Sequence, residues 1–167
     1  MISVVEKYLE TLLAFVPRKR GGRLSKDYIS LIHVPAHGPE KVYSLVLDEE
    51  RPMLTIASYK QAVWEALEDA QISPESYTPE IDALQVELSP DHPAFIFLDR
   101  ESVSRCESYG DGGNGLDYYL MLWQIDGELG VVESYEPYAR ESQPWLTVVG
   151  ALQVLSSEFE YALKERE

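Results

Sequence analysis

Apolar residues recur at helical spacing near both ends of the chain and at strand spacing between them, and this order sets the expected fold. Ile2, Val5, Leu9, Leu12, Leu13 and Val16 share one helical face, and Pro17 ends the run. Residues 42–47 and 53–56 read as strands around the acidic turn Asp48-Glu49-Glu50-Arg51-Pro52. Ser58 and Gln61 make a capping-box pattern ahead of a second helix with the stripe Ala62, Val63, Ala66, Leu67 and Ala70. Residues 73–82, with two prolines, read as a loop. Strands are expected at 84–88 and 94–98, either side of Ser89-Pro90-Asp91-His92-Pro93.

The segment 25–33 admits two readings. Ser25 can cap a short helix, whereas the β-branched content favours a strand, and Pro35 and Gly38-Pro39 end it either way. Residues 118–125 are apolar on both faces, the pattern of a strand inside a sheet and covered on both sides. Asp126-Gly127 signals a tight type I′ hairpin, with 129–135 as the returning strand. Trp145, Val149, Leu152, Leu155, Phe159 and Leu163 mark a last helix. Gly150 weakens it by about 1 kcal/mol relative to alanine, so a strand before a shorter helix stays open. The expectation is one α+β domain over residues 1–167. It has a mostly antiparallel sheet of about five to six strands flanked by N-terminal, middle and C-terminal helices.

Composition narrows the class. A chain of 167 residues, 45% hydrophobic, can bury a core unaided. Its single cysteine, Cys106, closes no disulfide or cysteine-based zinc site and suits a reducing compartment. The N-terminus lacks the basic start and unbroken apolar run of a secretory signal, so a cytoplasmic location is expected. Net charge is −15, and its distribution is uneven. Residues 1–60 carry nine Lys/Arg against seven Asp/Glu, whereas residues 61–139 carry two against seventeen. An acidic field of this kind repels nucleic acid and anionic membranes and speeds encounter with a basic partner.

Motifs for catalysis or metal binding do not assemble. Gly112-Gly113-Asn114-Gly115-Leu116-Asp117 fits one copy of a calcium repeat that works only when stacked. His33 and His37 have zinc-helix spacing, but Pro35 breaks the helix that spacing needs, which makes them surface or turn residues. His92 lies in a proline-flanked turn with no partner evident from sequence, and Cys106 reads as a partly buried structural thiol. The glycines at 110–115 lack the lysine of a phosphate loop and lead into a strand. No catalytic residue, metal or cofactor is therefore expected.

Three segments carry a family resemblance. Leu24-Ser25-Lys26-Asp27-Tyr28-Ile29-Ser30-Leu31-Ile32 is similar to an L-P-x-D-Y-x-x-F-L segment, with Ser25 in place of the proline. The run from Tyr109 to Tyr118 resembles a glycine-rich approach to a central strand, and the hairpin followed by Trp145 and a closing helix completes the order. These features resemble the SUKH superfamily, immunity proteins related to yeast cell-wall assembly regulators. The resemblance implies a mixed α+β fold and neutralisation of a toxin, often a nuclease, by direct binding.

The expected function is therefore an acidic protein-binding domain, an immunity protein or inhibitor docking on a basic protein, with no nucleic acid or membrane as partner. The expected contact residues are Asp111, Asp117, Asp126, Glu128, Glu133 and Glu136, with Tyr109, Tyr135 and Tyr138 as aromatic anchors. Tyr118, Tyr119 and Trp123 lie in the same region, where sheet packing competes for them. A non-catalytic scaffold, compatible with a homodimer, is the alternative. An enzyme acting on a cationic substrate is the third reading.

Overall fold

A computed structural model describes residues 2–17, 26–69, 73–108, 117–135 and 143–166, with side chains of the last helix described to residue 158 and at 160. The chain folds as α+β around one six-stranded antiparallel sheet. In chain order the elements are α1 (Val4–Leu13), β1 (Tyr28–Val34), β2 (Lys41–Val46), β3 (Met53–Tyr59), α2 (Val63–Asp69), β4 (Ile81–Glu87), α3 (Arg100–Ser104), β5 (Tyr118–Ile125), β6 (Glu128–Tyr135) and α4 (Gln143–Arg166). Short 3-10 turns cover Pro74–Ser76 and Pro93–Ile96. The spatial order is β4-β3-β2-β1-β5-β6, so β4 and β6 form the edges.

The segment left open at 25–33 is a strand. Tyr28 to His33 pair with β2, and Tyr28 to Val34 pair with β5. Its β-branched and aromatic side chains suit a pleated ladder between two neighbours better than a helix. Ser25 lies outside the described residues. The expected strand at 94–98 is instead a 3-10 turn leading into α3. Pro93 opens the turn, His92 Nδ1 accepts from the Ala94 N–H at 3.1 Å, and Asp99 caps α3 by accepting from the Ser102 N–H at 2.8 Å. Local side-chain caps outcompeted the apolar run. The capping box at Ser58 is likewise overturned. Ser58 sits within β3, paired with Lys41 and Asp82, and α2 begins only at Val63.

The hairpin forms as the turn chemistry requires. Asp126 (φ 52°) and Gly127 (φ 80°) both take left-handed backbone, and β6 starts at Glu128. Gly150 interrupts nothing, since α4 is continuous from Gln143 to Arg166. The burial of Trp145, Val148, Val149, Leu152 and Leu155 outweighs the glycine penalty.

The two sheet faces are covered unequally. On one face α4, α3 and the turn Pro93–Ile96 bury Ile29, Leu31, Leu45, Leu54, Ile56, Tyr119, Met121 and Trp123. α4 has 24 residues, about 36 Å of helix, enough to cross the whole sheet. On the other face α1 and α2 bury Ile32, Val42, Ala57 and Tyr59 beneath Leu12, Val16, Val63 and Leu67. These helices have 10 and 7 residues, roughly 15 and 10 Å, against a sheet some 24 Å across. They sit over β1, β2 and β3, so the β5–β6 side of this face is only partly covered. The expected two-sided cover of β5 therefore holds fully on one face only. Tyr119, Met121, Trp123 and Ile125 are buried, while Tyr118, Leu120, Leu122 and Gln124 are half-buried.

This shortfall also revises the apolar stripe of α1. Leu12 and Val16 are buried and Leu13 is half-buried, but Val5 and Leu9 are exposed at 53% and 46%. The inward positions include Val4 and Tyr8 instead.

Candidate functional site

Where the short helices stop, a groove opens between them and β5–β6, with a volume of about 770 Å³. Its floor is Ile32 and Val34 of β1 and Leu120 and Leu122 of β5. Leu9, Leu12 and Leu13 of α1 and Trp64 of α2 form one wall, and Tyr118 and Tyr135 form the other. Leu129 and Val131 of β6, 72% and 65% exposed, extend the apolar surface beyond Leu122 and Gln124, which they oppose in register. Contiguous exposed apolar surface of this kind marks an interaction site more often than scattered single residues do.

The charged groups around the groove have one sign. Glu40 and Glu65 are among its lining residues, and none of the described lining residues is Lys, Arg or His. Glu133 stands at its margin, accepting a 2.6 Å hydrogen bond from the Tyr118 hydroxyl. The elements beside it continue the trend. α1, α2 and the turn Pro74–Ser76 carry Glu6, Glu10, Glu65, Glu68, Asp69 and Glu75 against Lys7 alone. Glu65, Glu68 and Asp69 make no ion pair with a described base.

Glu40 anchors the arrangement. It is only 3% exposed, and its carboxylate accepts from the Val63 N–H at 2.8 Å and the Tyr8 hydroxyl at 3.3 Å. A carboxylate from the β1–β2 connection thus caps α2 in place of Ser58, and orients Trp64 and Glu65 beside it. The Tyr8 and Trp64 rings meet edge to face at 5.3 Å. Across the groove, Tyr118 and Tyr135 pack at 4.9 Å.

Asp117, just before β5, turns away from the groove towards the α4 side of the sheet. It accepts from the Ala36 N–H at 2.7 Å and pairs with His33 at 3.1 Å, whose ring stacks on Tyr119 at 4.4 Å. Partial burial pushes the Asp117 carboxyl up, but the Ala36 N–H and His33 outweigh this and hold it below its usual range. His33 is therefore a strand residue in a polar pair, not a turn histidine.

The residues expected from sequence do not all come together. Glu133 and Tyr135 meet at the groove, whereas Asp117 pairs with His33 on the α4 side of the sheet. Asp126 and Glu128 lie at the hairpin tip, the far end of β5, about 30 Å from Asp117 along the strand. There Glu128 forms a bidentate pair with Arg100, with the Nε contact at 3.0 Å. Tyr109, Asp111, Glu136 and Tyr138, with the glycines at 110–115, lie outside the described residues. Several other acids of residues 61–139 are matched by bases, Asp82 with Lys60 at 3.7 Å and Glu87 with Arg51 at 3.9 Å. Such exposed pairs contribute little stability but lower the local field. On α2, by contrast, Glu65, Glu68 and Asp69 have no described base beside them. Glu40, Tyr8, Leu9, Trp64 and Glu65 were missed by sequence reasoning. Trp64, beside the inward Val63 and followed by Glu65, was the available signal.

Two histidine and cysteine readings are also resolved. His92 has partners after all, the Ala94 N–H and Glu158 at 3.0 Å. Cys106 is 4% exposed, and burial pushes its thiol up to about 12. It should resist thiol reagents near neutral pH until the chain unfolds; rapid labelling of the native protein would contradict that burial.

Burial also raises the phenols of Tyr8, Tyr59 and Tyr118, with Glu40 adding to the first two and Glu133 to the third. For these groups and for Cys106, the folded value lies above the unfolded one. Their contribution is intact below about pH 9 and is lost as pH rises through the folded values. Urea unfolding should thus show stability falling from about pH 9 upwards, whereas an unchanged midpoint through about pH 11 would contradict it.

No family model matches this chain, and no curated protein or solved structure matches it either. Among the described residues, no helix is long and apolar enough to cross a membrane.

Proposed function

We propose that this chain is an acidic protein-binding domain that neutralises a basic protein, as an immunity protein or inhibitor would, by direct contact. The observation that carries this reading is the groove between α1–α2 and β5–β6, apolar along its floor and bordered by carboxylates without a described base among its lining residues. Apolar floors supply burial energy on association, and like-signed rims supply orientation and on-rate. Tyr118, Tyr135 and Trp64 are the residue types that most often dominate binding energy. The resemblance to SUKH immunity proteins points to the same class of partner, a toxin such as a nuclease.

Affinity capture from the native host at low salt, using the whole chain, should recover a protein of net positive charge. Stoichiometric addition of the chain should then abolish that protein's activity, with nuclease activity assayed first. Recovery of acidic proteins only, or a captured protein that stays fully active at saturation, would overturn the inhibitor reading.

A further inference from the structure

We infer that the groove receives the guanidinium of an arginine carried on an apolar stretch of the partner. This inference rests on the protein-binding reading above and gives its contact a chemistry. Four aromatic rings border the groove in two pairs, Tyr8 with Trp64 on the helical side and Tyr118 with Tyr135 on the sheet side. Both Tyr8 and Tyr118 donate their hydroxyls to carboxylates, Glu40 and Glu133. A phenol donating to an anion carries more electron density in its ring, which strengthens its attraction for a cation. Glu65 adds an exposed carboxylate at the rim that makes no ion pair with a described base.

The occupant follows from what the other ligand classes would meet. An anion would face Glu40, Glu65 and Glu133 with no described cation in the lining. A purely apolar segment would match Leu9, Leu120 and Leu122 but would leave the carboxylates of Glu65 and Glu133 unanswered as water is displaced. A second copy of this chain would bring another net charge of −15 to the same surface. Arginine satisfies both halves. Its planar guanidinium stacks on aromatic rings while donating to carboxylates, and its methylene stem lies along apolar side chains. A flanking leucine-like residue would then cover Leu129 and Val131.

Trp64 provides the readout. Of the three tryptophans it alone is substantially exposed, at 36%, against 6% for Trp123 and 1% for Trp145. The probe is a short blocked peptide alternating leucine and arginine, compared with the same peptide carrying citrulline, which keeps the shape and loses the charge. The arginine peptide should change Trp64 emission saturably, and citrulline should weaken binding at least about tenfold. Glu65→Gln and Glu133→Gln should each weaken the arginine peptide several-fold. Glu101→Gln, in α3 against the opposite sheet face, should leave binding unchanged. Equal binding of the citrulline peptide, or an effect of Glu101→Gln as large as that of Glu65→Gln, would overturn the arginine subsite. Neither result would touch the protein-binding reading, which stands or falls on whether a basic partner is captured and inhibited.

Discussion

Replacing Gly130 with alanine is expected to cost about 3 kcal/mol and to lower the melting temperature by about 10 °C. Gly130 sits on β6 directly opposite Trp123 of β5. A β-carbon built there would lie 2.1 Å from both Cε2 and Nε1 of the Trp123 indole and 2.5 Å from Cζ2. Nothing in that position can be accommodated without moving the ring. Trp123 is only 6% exposed and belongs to the cluster that includes Met121, Ile125 and Trp145. A close-packed core transmits such a shift to its neighbours instead of absorbing it. The double variant Trp123→Leu with Gly130→Ala should lose much less than the sum of the two single changes, because the clash disappears with the ring. Thermal melts of the four proteins decide this. A Gly130→Ala variant melting within a degree or two of the parent would show that the indole does not lie over the glycine.

Removing the Glu40 carboxylate should be comparably costly, about 2–4 kcal/mol for Glu40→Ala. The loss leaves the Val63 N–H and the Tyr8 hydroxyl without their acceptor in a site where Glu40 itself is 3% exposed. α2 has only seven residues, too few to hold helical geometry without tertiary support. Hydrogen exchange at the Val63 amide should accelerate strongly in this variant. Glu40→Gln keeps one oxygen for Val63 and should recover roughly half of the lost stability. Slow, parent-like exchange at Val63 in Glu40→Ala would show that the carboxylate is not the cap. Because α2 carries Trp64 and Glu65, the same variant should also bind a basic partner more weakly than its loss of stability alone explains.

These two residues also show which parts of the fold can be read from sequence. The hairpin was legible because Asp126-Gly127 sets its own geometry, whatever the rest of the chain does. The helical spacing of α4 was legible, but Gly150 left a preceding strand open until the burial of Trp145, Val149 and Leu152 settled one continuous helix. The elements that were misread depend on partners distant in the chain. Ser58 looks like a cap in isolation, but pairing of β3 with β2 and β4 draws it into the sheet, and a carboxylate from Glu40 replaces it. Residues 94–98 have the apolar content of a strand, yet His92, Pro93 and Asp99 turn the chain first.

The site was legible only where strand pairing was. Glu133 and Tyr135 reach the groove because β5 and β6 run as the pattern implied, whereas Asp117 turns to His33 on the other face. Spacing alone places Val5 and Leu9 in the core. Their exposure follows from a quantity no local window contains, the width of the sheet against the length of α1 and α2. Net charge by segment was equally blind to geometry. It located the acidic half of the chain but not the pairing of Asp82, Glu87 and Glu128 with Lys60, Arg51 and Arg100. On α2, Glu65, Glu68 and Asp69 make no ion pair with a described base.

The most direct test of the acidic groove is the association rate of a captured partner measured against ionic strength, for the parent chain and for a variant carrying Glu65→Gln, Glu68→Gln and Asp69→Asn. The parent rate should fall steeply with added salt, and the variant should be slower at low salt and converge on the parent at high salt, with dissociation rates nearly unchanged. A rate that ignores salt, or a variant indistinguishable from the parent at low salt, would contradict docking on this face.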